Sequence, residues 1–535
     1  MSERAPRWYA VDLVVAVAAF WAAARVRVGA LVGMEMPPDG ATLFHRSLDL
    51  RDGVDLPLLG NTVVGWPFHF GVFPDWYRSL WMLGTDSLHE AARQVASSHA
   101  LVAAWAYLLC ARLGARGAGL LLAATLAIDP QIVSFAFAYP IDYRTAEWGL
   151  LLALAMVLVA ARHPDRSPGG TVALVLASSL LVTTHPFAAA ALLPAGIALL
   201  RWGTWPGARL AAVATGGALL VAGPWLLDLV RGLGPFFGQS FDAAGRTTAP
   251  AFPTEILGAW WGSLADVVGG PLTPGVPADV VSPWLLPAVL LLGLVGALAV
   301  PRSRPLLLLW LGWFGALLAL VAVAGFVPKR YHVIPPMTVG LAAAVVGLEL
   351  GLAALLGRWP RARPHAGRLA GVALAVVTAV MVLGPFGARL RQIAEASAGS
   401  PPSVALEADH LAAVARGLLD GEDGLWIYAF HELRHQGLAD GVPVAMRLQT
   451  GAVDAGRVAE GRPVVAFLSR RGHLDLPAFR VEKVVLVSKG EWVHVGRLPS
   501  LDAWPAACRA LDATEPEPLG VAGVQANAAV GVACP

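Results

Sequence analysis

The chain has 535 residues, 56% of them hydrophobic and 14% charged, with a formal net charge of +2. Soluble domains carry about 25% charged residues, so an ordinary soluble globular protein is excluded. The near-neutral balance, with basic residues scattered along the chain and no single basic face, argues against nucleic acid as a partner.

A hydrocarbon core needs about 20 apolar residues per helix. Stretches of that kind are predicted at 9–31, 94–112, 117–136, 146–161, 171–184, 187–200, 209–229, 283–300, 306–325, 333–356 and 369–387. The first follows Arg4 and Arg7 and exceeds the roughly 7–15 apolar residues of a cleaved signal, so it reads as a retained span. Arginines fall in every second interval: Arg112 and Arg116, Arg162 and Arg166, Arg201 and Arg209, Arg302 and Arg304, then Arg358, Arg361, Arg363 and Arg368. Loops rich in Lys and Arg stay cytoplasmic. The alternation therefore predicts a cytoplasmic N-terminus, about eleven spans and an external C-terminus.

Three external segments stand out. The first runs over 33–93. The second, 231–282, holds Phe236, Phe237, Phe252, Trp260 and Trp261, a composition suited to a re-entrant or interfacial helix. From about Leu390 the pattern becomes that of a soluble fold, with an amphipathic helix at Val404–Leu419 and short buried strands at Leu425–Phe430, 464–468 and 484–487. The expected fold is a polytopic α-helical membrane protein, residues 1–389, carrying a small extracytoplasmic α/β domain, residues 390–535. Cys110 lies in an apolar span and reads as a small packing residue. Cys508 and Cys534 both fall in the external region, where an oxidising compartment permits a disulfide.

The residues with chemical potential gather in the loops predicted to be external. Glu35 and Asp39 lie just beyond the first span. A partly desolvated carboxylate there suits a general base toward a hydroxyl or amine, while Asp39 ahead of a helical run equally suits an N-cap. Farther along, Gly65-Trp66-Pro67-Phe68-His69 and Asp75-Trp76-Tyr77-Arg78 mix aromatic and polar side chains, fitting a sugar or lipid headgroup or an interfacial helix. Asp142, Arg144 and Glu147 crowd the next loop, where charges beside a bilayer must be solvated, paired or used. The loop before the tenth span, with Lys329, Arg330, Tyr331 and His332, is basic where the topology predicts few basic residues. Adjacent Lys and Arg at a bilayer surface suit a phosphate or pyrophosphate, or a lipid headgroup. No Gly-rich phosphate loop stands between a strand and a helix, and no His/Cys/Asp cluster has ligand spacing, so neither a nucleotide cofactor nor a metal is expected.

The layout over roughly residues 1–390 resembles the GT-C superfamily of polyprenyl-phosphate-sugar-dependent membrane glycosyltransferases, in particular the bacterial protein-mannosyltransferase-like and aminoarabinose-transferase-like members. A first helix is followed by a long external loop opening on an acid, then by a charged second loop, then by a late segment running from Arg330-Tyr331 to Pro335 and Pro336. The resemblance implies Asp39 as the catalytic carboxylate, with Glu35 a second candidate because Gly40 stands where the family often has a second acid. It implies that Asp142 and Arg144 match the charged second external loop and that Lys329 and Arg330 contact the lipid phosphate, with Tyr331 and His69 as further candidates for binding substrate or lipid phosphate. The implied partners are a polyprenyl-phosphate-linked sugar donor and membrane lipids, and the implied location is a bacterial inner membrane with the site facing the periplasm. Two other readings stay open. A transporter or lipid flippase would place charges within the membrane and repeat its halves. A membrane-anchored binding protein would use Trp426, Tyr428, His431, Glu432, Arg434 and His435 of the C-terminal region.

Overall fold

The computed structural model describes residues 10–30, 38–53, 56, 58–59, 69, 71–128, 144–161, 168–204, 207–238, 285–324, 330–388, 391, 395, 404–419, 425–430, 436–450, 464–469, 476, 479–487, 491–500, 503–512, 520–525 and 528–529. Each predicted apolar stretch coincides with a helix. The first is α1 (Ala10–Ala30), followed by two short helices that the long first loop contributes, α2 (Pro38–Arg51) and α3 (Phe73–Trp81). Then come α4 (Leu88–Ser98), α5 (Leu101–Leu113), α6 (Arg116–Ile128), α7 (Arg144–Ala160) and α8 (Pro168–Thr184). A 3-10 turn at Pro186–Ala191 leads into α9 (Leu192–Trp202), and α10 (Ala208–Gly238), α11 (Leu285–Ala299), α12 (Arg304–Ala324), α13 (Arg330–Leu356) and α14 (Ala366–Met381) complete the bundle.

Four of these helical stretches are long and apolar enough to cross a membrane: Leu88–Leu113, Ala208–Gly232, Ile334–Leu356 and Arg363–Gly384. The pair Leu291–Ala299 and Pro301–Ala319, bent by 105°, makes a fifth if taken as one span, while Arg116–Ile128, Ala146–Ala160, Pro168–Thr184 and Phe187–Trp202 are apolar but shorter. Burial sorts the long ones. The most apolar window of Leu88–Leu113 is 78% buried and forms the bundle's centre, whereas those of Ala208–Gly232 and Arg363–Gly384 are 17% buried. Leu219, Leu220, Val376 and Val380 on these outer helices stand exposed. In water such a surface would be penalised at about 25 cal/mol per Å², so it belongs against lipid. The fold is that of a multi-pass helical membrane protein.

Small residues set the closest helix crossing. A Cβ placed on Gly347 of α13 would collide with the carbonyl oxygen of Gly293 and the backbone of Ala297 on α11, and one placed on Gly293 or Gly296 would collide with α13 in return. Without a hydrophobic drive between helices in lipid, such backbone approach is a main source of packing energy. Asp12 of α1 is buried and receives Arg116 at 2.7 and 2.9 Å and the Tyr107 hydroxyl at 3.2 Å. Gly114, at φ 81°, closes α5 in the left-handed conformation and turns the chain into α6. Buried Glu349 of α13 accepts the Ala118 N–H at 2.6 Å in the first turn of α6, satisfying a donor that the helix itself cannot.

The C-terminal region contains α15 (Val404–Leu419), β1 (Leu425–Phe430), α16 (Gln436–Thr450), β2 (Val464–Ser469), β3 (Arg480–Val487), β4 (Glu491–Arg497), α17 (Trp504–Asp512), β5 (Gly520–Gln525) and β6 (Ala528–Ala529). The strands form one sheet in the order β3-β4-β2-β1-β5-β6. Its central pair, β1 and β2, is parallel with Trp426 opposite Val464, and α16 is the crossover that a parallel pair requires. The remaining neighbours are antiparallel. This sheet does not hang free of the bundle: α15 and α16 share one apolar core with α2 and α4, joining Phe44, Leu48, Leu88, Leu411, Val442 and Leu448. Gly347→Leu is expected to destabilise the fold by about 1–3 kcal/mol through overpacking, seen as a thermal midpoint several degrees lower in detergent. An unchanged midpoint would show that the α11–α13 crossing is not tightly packed.

Candidate functional site

Helix α2 begins with Pro38, whose missing N–H and fixed φ suit the first helical position. Asp39 follows that residue, so it occupies the first turn and not the cap position that its place in the sequence also allowed. A carboxylate in a first turn is favoured by the helix dipole. The Asp39 side chain lies outside the described residues, as does Glu35 altogether.

Farther along α2 the geometry is explicit. Arg46 donates through Nε to Asp75 Oδ2 at 3.1 Å and also donates to the Leu59 carbonyl. Arg78, one turn after Asp75 on α3, donates through Nη1 to Asp75 Oδ1 at 3.1 Å and to Ser47 Oγ at 3.0 Å. Asp75 and Arg78 are both buried, so these charge-assisted contacts are made out of water and fix α2 against α3. The spacing Asp75-Trp76-Tyr77-Arg78 marked this segment as a headgroup or interfacial candidate. Its charges are instead spent on holding the loop.

His69 is tied to α10. Its backbone N–H donates to Asp228 Oδ2 at 2.7 Å, and its Nδ1 lies 3.2 Å from the same oxygen. A carboxylate only accepts, so Nδ1 carries a proton and Nε2 is the ring nitrogen left for another contact. Asp228 escaped the sequence reading because it sits near the end of a long apolar stretch, yet an acid inside a span is itself a signal.

The charged second loop is anchored at its far end. Glu147, in the first turn of α7, meets His99 Nδ1 at 3.0 Å, both side chains being buried. Trp148 beside it packs edge-on against Phe73 and Tyr77 of α3, with ring centroids 5.2 and 5.6 Å apart. Of the three charges predicted to need a use there, Glu147 lies buried against the His99 ring. Arg144 is the first residue of α7. Its side chain, and Asp142, lie outside the described residues, as do Lys329 and the side chains of Arg330 and Tyr331, which open α13. Outside them too lie the Cys508 side chain, Cys534 and residues 431–435. Cys110 is buried, as a packing residue should be.

Two further basic groups are buried, Arg27 and His185, the latter at a turn that the sequence reads as having a polar tip. Arg27, near the end of α1, donates to the carbonyls of Ala23, Ala127 and Leu126 at 3.1–3.3 Å, two of which close the last turn of α6, where a cation is favoured. His185 accepts the Phe187 N–H on Nδ1 at 3.2 Å and stacks on the Phe187 ring. Burial pushes the His185 pKa down to about 3. Among the described residues no group of three or more His, Cys, Asp or Glu side chains is placed to hold a metal ion.

No protein-family model and no curated protein matches the sequence. Among solved structures, the chain is similar to ArnT from Cupriavidus metallidurans, determined bound to undecaprenyl phosphate. The identity is 14%, the match covers 92% of this chain and 98% of that one, and the TM-score is 0.49.

The neutral state of His185 has a measurable consequence. The unfolded chain binds a proton on this ring below its ordinary value of 6.5, and the folded chain does so only near 3. Stability therefore falls as pH drops from 6.5 toward 3, at up to ~1.4 kcal/mol per pH unit. Replacing His185→Gln should flatten the fall in thermal midpoint between neutral pH and mildly acidic pH. An equally steep fall in the variant would mean that another group sets it.

Proposed function

We propose that the protein is an inverting glycosyltransferase of the GT-C type, moving a sugar from a polyprenyl-phosphate donor to an acceptor on the periplasmic face of a bacterial inner membrane. The observation that carries this reading is the place of Asp39. It lies in the first turn of α2, the next helix after the first apolar one, and α2 is held against α3 by Arg46, Asp75 and Arg78. The arginine alternation supports the orientation, which puts α2, the second loop and the C-terminal region on one side.

In the proposed reaction the Asp39 carboxylate, with Glu35 the second candidate, takes the proton of an acceptor hydroxyl or amine. The acceptor attacks the anomeric carbon as the bond to the phosphate oxygen breaks, and the electron pair leaves with the lipid phosphate. Lys329 and Arg330, with Tyr331 and His69, stabilise the charge gathering on that phosphate. Asp142 and Arg144 line the sugar side. The boundary between a transferase module, 1–389, and an α/β region, 390–535, belongs to the same proposal.

The test uses the full chain in lipid nanodiscs with labelled undecaprenyl-phosphate-linked sugars as donors, and lipid, polysaccharide and protein fractions as acceptors. Asp39→Asn should lower transfer by about 10²–10⁴-fold, the usual contribution of a general base, while the variant inserts and unfolds like the wild type. Full activity in that variant removes Asp39 from the mechanism.

A further inference from the structure

We infer that the C-terminal region is a brace for the proposed transfer site, with Arg447 and Asp409 as positioning residues that hold the two loops carrying Asp39 and Arg144. The inference rests on the transferase reading for its functional consequence, and on the hydrogen bonds between the C-terminal region and the helices α2 and α4 for its mechanics.

One arm of the brace ends on α2. From α16, Arg447 reaches Asp49 Oδ1 through Nη1 at 2.6 Å, and Asp52 Oδ2 through Nη2 and Nε at 3.2 and 3.3 Å. Arg51 completes the cluster by donating to Asp52 Oδ1 at 2.7 Å and to the Thr85 carbonyl at 3.3 Å. The guanidinium of Arg447 thus forks across two carboxylates at the end of α2, where a cation also complements the helix dipole. Asp39 lies on the same helix ten residues earlier, about 15 Å along a rigid rod at 1.5 Å per residue. Fixing one end of such a rod limits the swing of the other.

The second arm ends on α4. Asp409 of α15 accepts the Leu88 N–H on Oδ1 at 2.7 Å, and on Oδ2 the His89 N–H at 2.8 Å and the Ser87 hydroxyl at 2.7 Å. Ser87 in turn accepts the Glu90 N–H at 3.2 Å. The first three donors of α4 are therefore all satisfied, two of them by a residue some 320 positions away. Gln449 of α16 holds the Asp409 backbone carbonyl at 3.0 Å, so both arms are tied to each other. Below its cap, α4 leads to His99, and His99 meets Glu147 one turn after Arg144. The cap on α4 is thus relayed to the second loop.

This arrangement differs from a tethered acceptor-binding module. Asp52 and Arg447 have side chains only 6% and 18% exposed, and charges withdrawn that far from water are costly unless their geometry is kept. A loosely attached module has no need of such contacts. Nor would it share an apolar core with α2 and α4.

Amide exchange and transfer kinetics on the full chain in nanodiscs test the inference, using an undecaprenyl-phosphate-linked sugar that the wild type turns over. Arg447→Ala should speed exchange across 38–51 by about tenfold, the signature of a locally loosened element, and lower kcat with the donor KM unchanged. Arg447→Lys should restore part of both. The double variant Asp49→Ala/Arg447→Ala should be no worse than Arg447→Ala alone, because the two act through one contact. Asp409→Ala should loosen α4 and the first turn of α7. Unchanged exchange in α2, or a raised KM with kcat intact, overturns the brace. If the wild type transfers no sugar, the transferase reading fails, and the exchange data still decide whether the C-terminal region holds α2.

Discussion

The start of α4 is the joint on which the rest of the structure depends. A helix leaves its first N–H groups without internal partners, and here the helix in question leads into the most buried stretch of the bundle, Leu88–Leu113. Its open donors are closed by Ser87 and by Asp409 from the opposite end of the sequence. The helical bundle and the C-terminal region therefore meet at hydrogen bonds. Because the apolar residues of α2, α4, α15 and α16 pack around that joint, the first loop takes its shape from two partners, the bundle below and the sheet-bearing region beside it.

A similar economy appears at several buried charged side chains among the described residues. Asp12 takes Arg116 and Tyr107, Glu349 takes an N–H at the start of α6, Arg27 takes carbonyls at the end of α6, and Glu147 takes His99. Most of these groups sit at a helix end, where orphan donors or acceptors and the dipole make the charge tolerable. A polar group left without its partner in an apolar interior is costly, so these contacts are part of the packing. They are structural charges, and they remove themselves from the list of groups free to do chemistry.

Much of this architecture was legible in the chain before any coordinates. The apolar stretches, the amphipathic helix at Val404–Leu419 and the strand at Leu425–Phe430 all follow from local periodicity, and each coincides with an element of the expected kind. Local patterns carry no information about partners hundreds of residues away. Hence nothing in the sequence singles out Asp409 or Arg447, and Asp228 was hidden by the length of the apolar run around it. The long loop 33–93 showed aromatic and charged residues but not their purpose, because Arg46, Asp75 and Arg78 become a cluster only when α2 folds against α3. Of the candidate site, the position of Asp39 after the first span was legible. Its place inside α2 was not, since the choice between cap and first turn hangs on how Pro38 is used.

This division bears on where chemistry can reside. Each charge in a loop beside a membrane must be solvated, paired or used, and the described contacts assign Asp75, Arg78, Asp49, Asp52 and Asp409 to pairing. His69 is different. Asp228 orients one edge of its ring, and a side-chain exposure of 36% leaves the other within reach of solvent or substrate. Under the proposed transferase reading, an oriented and accessible imidazole on the same loop as Asp39 is suited to meet a departing group, whereas a buried pair is not. For the proposed site, the structural contacts leave His69 as the described loop residue whose ring is both oriented and accessible.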